Sequence, residues 1–296
     1  IVDFIVIGSG SAGGIIAKEL SNHGFSVVVL EQGAFRTAAD FTHDKHDEID
    51  VFLNEELTGG GNQFSQQTFR SNKKEIAKTP QMQPAFYSQT VGGSSVHMTA
   101  NFWRLREIDF KERSVVGAIS DTNFVDWPIT YEELEPYYSR VDWEIGVSGI
   151  PGPNDSFRSR PFPMPPFPIK SSGVLLERAC TKLGWSVQPE PHAVTTKNYN
   201  GRPACISCGY CMWFGCEMDA KSSTLSTMIP KAIASKNCEI RSESAVYRIN
   251  TNKKGKITSV SYIDKHGAQK SQRAKAVIVS ANGAETPRLL LNSSNN

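Results

Sequence analysis

No apolar run in the 296 residues approaches the length of about 20 that a membrane-crossing helix needs, so no span of its own is expected. There is little excess charge. Lys and Arg total 32 against 30 Asp and Glu, a formal net charge of +2, and no long basic run is present. A nucleic-acid partner is therefore not expected. No signal-peptide pattern is visible. The chain opens at Ile1, inside a strand-like run and not at Met, so the natural N-terminus is expected upstream. Cysteine is scarce, and four of the six crowd one segment, which argues against a disulfide framework spread through the chain. There are no internal repeats, which excludes a solenoid.

What remains is a chain sized for one large domain or two modest ones, with 39% apolar residues and mixed charge, as in a soluble globular protein. Val2 to Ile7 is a short apolar run of the kind a buried parallel strand uses. Ile15 to Asn22 has helical spacing, and Phe25 to Leu30 is a second β-branched strand, so the chain starts as a βαβ unit. Gln32 to Thr90 is polar and loop-rich, and Val91 to Arg104 is the next organised segment. After Asp126-Trp127-Pro128, Thr130 and Glu133 have the spacing of a capping box. The helix it opens carries Leu134, Tyr137 and Tyr138. Pro161 to Pro168 reads as extended. Helices are expected over Ser172 to Leu183 and Leu225 to Ser235, and strands over Glu239 to Asn250, Lys256 to Asp264 and Lys270 to Ser280.

Gly8-Ser9-Gly10-Ser11-Ala12-Gly13 is a GxGxxG pattern that follows a strand and opens a helix. In that context Gly8 permits a tight turn and Gly10 lets the backbone approach a pyrophosphate at the helix N-terminus. Gly13 allows close helix–strand packing. Glu31 ends the second strand, where an acid bonds ribose hydroxyls and disfavours a cofactor with a 2′-phosphate.

The other concentrated signal is Cys205-x2-Cys208-x2-Cys211-x4-Cys216. The first three cysteines are spaced like the opening of a ferredoxin run, in which one loop wraps several thiolates around an iron–sulfur cluster. The last gap is longer, and Glu217 stands in place of the usual proline. Structural zinc, local disulfides and buried thiols are the alternatives. Cys180 and Cys238 stand alone and read as core residues. His43 to Glu48 offers metal-capable side chains but reads as a solvated mixed-charge loop. Trp127, Trp143 and Trp213 read as packing residues, with Trp213 placed to shield a cluster if one forms.

The N-terminal fingerprint, Val91-Gly92-Gly93-Ser94-Ser95-Val96-His97, Asp126-Trp127-Pro128 and Ala281 to Leu291 together resemble the glucose–methanol–choline (GMC) flavin oxidoreductases, over essentially the whole chain. The segment from Cys205 to Ser223 is most similar to the flavoprotein subunits of bacterial sugar and gluconate dehydrogenases. The resemblance implies an α/β fold, α+β overall, with a Rossmann-like FAD-binding domain and a partial substrate or cap domain. The FAD-binding domain would comprise 1–105 and 217–296, and the cap region 106–216 with the cysteine loop 205–216.

The same resemblance implies FAD, not NAD, with Gly8, Gly10, Ser11 and Gly13 on the pyrophosphate and Glu31 on the adenosine ribose. Gly92, Gly93 and Ser94 would lie along the flavin, Val246 at the adenine, and Ala281 at a strand end against the cofactor. His97 would sit beside the ring, either linked to the flavin 8α-methyl or hydrogen-bonded without a bond to it. A 3Fe-4S cluster would be held by three of Cys205, Cys208, Cys211 and Cys216, with Cys205 and Cys211 in the set and Cys208 or Cys216 as the third.

The implied activity is a dehydrogenase that passes hydride from an alcohol group of a sugar or sugar acid to FAD. Electrons would then pass through the cluster to a cytochrome or other acceptor. An oxygen-using GMC alcohol or sterol oxidase, and a non-catalytic flavin or iron–sulfur module, are the rivals. A small accessory subunit and a cytochrome c subunit would place the protein on the periplasmic side of the inner membrane. The family's reactive histidine, with its His or Asn partner, is expected beyond Asn296, so these residues alone are expected to be inactive.

Overall fold

The two apolar runs at the start of the chain form the strands β1, Val2–Ile7, and β2, Val27–Leu30. The computed structural model describes residues 1–43, 70–72, 74–76, 78 and 87–294. They divide into two units. One comprises Ile1–Thr99, Gly209–Asp219 and Ser223–Asn296, the other Ala100–Cys208 and Ala220–Ser222.

In the first unit, β3 (Cys238–Arg241), β2, β1 and β7 (Ala274–Val279) line up in that order as a parallel sheet. Both faces are buried, which is why β1 and β2 read as continuous apolar runs rather than alternating ones. Ile5, Ile7, Val28 and Leu30 point one way, onto Ile249, Val260 and Tyr262 of an antiparallel sheet and onto Leu289. That sheet has the order β4 (Ala245–Thr251), β5 (Ile257–Ile263), β6 (Gln269–Gln272). Val6, Val27 and Val29 point the other way, onto Ala17 and Ala232 of the helices Ser11–Asn22 and Thr224–Ala234. Full burial of each such aliphatic side chain contributes about 1.5–3 kcal/mol.

Two of the expected strands are each divided between sheets. The Glu239–Asn250 run yields β3 and β4, and the Lys270–Ser280 run yields β6 and β7. At the first break Glu243 takes a left-handed backbone, φ +49°, and its amide donates to the Gly33 carbonyl at 2.9 Å. The chain therefore turns where its β-propensity alone would carry it straight on. The helix expected from Ile15 begins earlier, at Ser11, directly after Gly10.

The second unit holds the helix Tyr131–Ile145. Its capping box forms as the sequence predicts. The Glu133 amide donates to Thr130 Oγ1 at 3.3 Å, and the Thr130 amide to Glu133 Oε2 at 2.8 Å. The buried face of this helix is polar. Glu135, Ser139 and Asp142 recur at helical spacing and meet the guanidinium of Arg104 at 3.1, 3.1 and 2.6 Å. Arg158 adds a second bond to Asp142, at 2.7 Å. The proline-rich stretch lends its carbonyls: Trp143 Nε1 donates to Pro161 and the Gly149 amide to Met164. The helix Ser171–Lys182 has no buried residue, so Cys180 is half-buried and not the core residue the sequence suggested. Cys238 does pack against the sheet core, and burial pushes its thiol up to about 11.

Among the described residues no helix is long and apolar enough to cross a membrane. Replacing the cap, Thr130→Ala, is expected to lower stability by about 1 kcal/mol. Urea unfolding followed by circular dichroism measures it, and an unchanged midpoint would show that the cap is dispensable.

Candidate functional site

The turn Gly8–Gly10 leads from β1 into the helix Ser11–Asn22, whose first turn no side chain caps. Its leading N–H groups are therefore available to an anion. In front of them, at the carboxyl edge of the parallel sheet, is a cavity of about 300 Å³. Of the residues predicted to bind a cofactor, Gly8, Gly10, Ser11, Glu31, Gly93, Ser94, Val246 and Ala281 line it. The carboxyl edge is where doubly wound sheets take their ligands.

Gly13, Gly92 and His97 do not line the cavity. A Cβ at Gly13 would lie 2.0 Å from the Gly8 carbonyl oxygen, so Gly13 lets helix and strand close up. Gly92 sits at φ +95° and donates its amide to Ser9 Oγ at 3.0 Å. His97 is buried, with Nδ1 2.9 Å from the Trp213 carbonyl oxygen. A carbonyl only accepts, so Nδ1 carries the proton in this bond.

Glu31 is the electrostatic centre of the site. It is 6% exposed. Its Oε2 accepts from the Ser9 amide at 2.9 Å and from Ser9 Oγ at 2.7 Å, and its Oε1 from the Gly33 amide at 3.0 Å. Burial raises its pKa above the ordinary 4.5, and these bonds only partly offset the rise.

Several functional positions escaped sequence reasoning. Ser9 occupies a variable place in the glycine pattern, yet its hydroxyl links Glu31 to the Gly92 segment. Ser95 Oγ donates to the Gly92 carbonyl at 2.7 Å and accepts from the Thr224 amide at 3.0 Å, tying the start of a distant helix to the same place. Ser88 also lines the cavity, and its buried hydroxyl has no partner among the described residues. Across the cavity wall Tyr87 donates to Glu285 at 2.6 Å. The only signal in the sequence is small hydroxyl residues set among apolar ones. Their partners are more than 80 positions away in three of these bonds, beyond the reach of any local pattern.

All six cysteines are thiols, which removes the disulfide alternative. Cys205 and Cys208 belong to the second unit and Cys211 and Cys216 to the first, so the loop crosses the boundary between them. His43 is not solvated as expected. Its ring stacks on Tyr210 at 4.6 Å, faces Glu217 at 3.2 Å and donates to the Gly215 carbonyl at 3.1 Å. Asp44 to Glu48 lie outside the described residues. Trp213 is half-exposed, and its carbonyl, not its ring, makes the contact with His97.

A family model described as GMC oxidoreductase matches residues 2–295. The chain belongs to the GMC oxidoreductase family. It is 34% identical over 291 residues to 2-methyl-1,2-propanediol dehydrogenase of Mycolicibacterium austroafricanum, covering 98% of this chain and 50% of that one. It is 29% identical to the fructose dehydrogenase large subunit of Gluconobacter japonicus, with coverage of 99% and 54%. To the gluconate 2-dehydrogenase flavoprotein of Pantoea cypripedii it is 30% identical, with coverage of 95% and 50%. The chain thus spans about half the length of the curated relatives it matches. Formate oxidase of Aspergillus oryzae shares the fold, with a TM-score of 0.60 at 17% identity over 99% of this chain and 48% of that one.

FAD, the cofactor of GMC enzymes, fits this cavity on three observations. The helix start is uncapped, the buried Ser88 hydroxyl has no partner among the described residues, and a Cβ at Gly10 would meet no atom of the described residues within 4 Å. Gly10 and Gly13 should therefore respond differently to the same substitution. Gly10→Ala is expected to fold normally and to lose FAD affinity at least tenfold, whereas Gly13→Ala is expected to unfold at lower temperature even without flavin. Flavin fluorescence titration and apo-protein melting separate the two, and equal behaviour would contradict this division of roles.

Glu31 sets a pH dependence of known sign. Its folded pKa is raised, so its contribution to stability is fully present below about 4.5 and is lost as pH rises through the folded value. The stability difference between the wild type and Glu31→Gln, both without flavin, should shift toward the wild type as pH falls from 7 to about 4.5. A pH series of denaturant unfolding curves tests this, and a shift in the other direction would refute it.

Proposed function

We propose that this protein is the flavin-binding part of a dehydrogenase that oxidises an alcohol group of a sugar or sugar acid. The observation that carries the reading is the glycine-walled cavity at the carboxyl edge of the sheet, in a member of the GMC family. When bound there, FAD would supply the hydride acceptor. The chain's own residues bind and orient it. Gly8, Gly10 and Ser11 present backbone to the pyrophosphate, and Gly13 keeps the helix close enough to do so. Glu31, which already accepts from Ser9, Gly33 and Gln32, would face the adenosine ribose. Val246 and Ala281 border the adenine and pyrophosphate, and Gly93 and Ser94, with Gly92 setting their turn, run along the flavin. His97 lies beside the ring with Nδ1–H committed to Trp213, which leaves Nε2 as its acceptor nitrogen. None of these residues is assigned the base that takes the hydroxyl proton.

The proposal extends to the exit of electrons. Cys205, Cys211 and either Cys208 or Cys216 would hold an iron–sulfur cluster, which passes electrons one at a time to a cytochrome subunit. A small accessory subunit would complete an assembly on the periplasmic side of the inner membrane. The support is the cysteine spacing and the similarity to a relative named as the large subunit of fructose dehydrogenase.

The full-length protein should contain flavin, iron and acid-labile sulfide, and should reduce a one-electron dye with fructose or gluconate. Cys211→Ser should lose iron and the reduction of a cytochrome-type acceptor while retaining flavin. Peroxide formation without iron would replace this reading with an oxygen-using oxidase. Flavin and iron without any substrate-dependent reduction would leave an electron-transfer module.

A further inference from the structure

A second cavity, of about 450 Å³, lies entirely within the second unit. Three arginines line it, Arg104, Arg106 and Arg158, with one acidic residue, Asp155. The acids that pair with Arg104 and Arg158, Glu135 and Asp142, are on the helix Tyr131–Ile145 and are not among the lining residues. Among the charged residues that line the cavity, cations therefore outnumber acids. Asp155 is itself occupied, accepting from the Gly152 amide and from Gln188 Nε2, each at 2.9 Å.

The arginines are held in place before any ligand arrives. Arg158 is fixed by Asp142 and lies 3.7 Å above the Phe162 ring, and the side chains of Arg104 and Arg158 are 5% and 8% exposed. Arg104 Nε is buried with no partner among the described residues. Desolvation, and then the charge of Arg104, lower the pKa of Arg158, as expected where two cations crowd one place. Pre-fixed guanidinium groups lose little entropy on binding and match the paired oxygens of carboxylates and phosphates. Arg106 differs from the other two. Its side chain is 67% exposed and its nearest acid, Asp109, is 3.7 Å away, so it is loosely held at the mouth. Trp103, 55% exposed, adds an apolar platform beside it.

The geometry points to a binding site in the second unit for a small oxyanion, a carboxylate or phosphate carried on a compact polar molecule. Arg158 and Arg104 form its floor and Arg106 its clasp. The site is separate from the nucleotide cavity, with which it shares no lining residue.

The test uses the full-length, FAD-saturated protein, so that phosphate cannot occupy the pyrophosphate position. Calorimetric titration with sodium gluconate, inorganic phosphate and, as neutral control, glucose is compared in the wild type and in Arg106→Gln. Arg106 is exposed and outside the buried ion network, so this variant keeps the fold, and its melting temperature verifies that. At least one anion should bind with a Kd at or below about 1 mM, weaken with added salt, and bind at least tenfold more weakly to the variant. Binding of gluconate alone identifies a carboxylate site, and of phosphate alone a phosphate site. Absence of binding by both anions overturns the proposal, as does equal binding of glucose. Anion binding that Arg106→Gln leaves unchanged also overturns it, because the anion then sits elsewhere, for example at a catalytic centre. The readout requires no turnover, so its failure leaves the dehydrogenase reading untouched, and the reverse.

Discussion

A single buried carboxylate organises the first unit. Glu31 accepts hydrogen bonds from the amide and hydroxyl of Ser9 and from the backbone of Gly33 and Gln32, and so locks the glycine turn after β1 to the end of β2. The Ser9 hydroxyl passes the constraint on by accepting from the Gly92 amide, and Ser95 carries it to the helix that starts at Thr224. Three segments far apart in the chain thus meet through hydroxyl groups that are both donor and acceptor. A buried polar network of this kind is costly when incomplete and rigid when satisfied. That rigidity holds the turn backbone in front of the cavity without any side chain entering it.

The two units handle buried charge in opposite ways. Glu31 has no cationic side chain among its hydrogen-bond partners in the described residues, and burial raises its pKa. In the second unit burial likewise disfavours the Glu135 carboxylate, but bonds from Ser139, Ser159 and Arg104 outweigh it and hold the group at about 2. The stabilisation from Glu135 is therefore present above its ordinary 4.5 and drains away as pH falls toward about 2. Acid takes support from the helix Tyr131–Ile145 while it relieves the cost of burying Glu31. Removing one member of the Arg104 network would cost several times more than the net worth of the pair, because the remaining charge would stay buried.

How much of this was legible in the sequence followed the range of the interactions. The βαβ start, the glycine turn and the Thr130–Glu133 box are local, and each reads from a few adjacent residues. The division of Glu239–Asn250 into strands of two sheets was not legible. It depends on the Glu243 amide reaching Gly33, a partner about 200 residues away in sequence. Gly8, Gly10 and Glu31 were named because the glycine pattern and the acid after it have a mechanism behind each place, and Ser11, Gly93, Ser94, Val246 and Ala281 because of the family resemblance; all eight line the same cavity. Ser9 and Thr224 were missed because their importance lies in what they touch, not in what they are. His43 was misread for a related reason: charged neighbours in sequence suggested solvent, whereas its ring is stacked on Tyr210.

The pairing of β1 with β7 has a consequence for how the chain comes to be folded. Val2–Ile7 leaves the ribosome well before its neighbour Ala274–Val279, which follows only after more than 260 further residues. Until then one side of β1 is an apolar strand with an unsatisfied row of backbone donors and acceptors, the kind of edge that recruits other chains. Sheet closure of such high sequence separation is slow. Newly made chains should therefore be most prone to aggregation before β7 is made, and termination upstream of β7 should yield insoluble chains even though the fingerprint is already made.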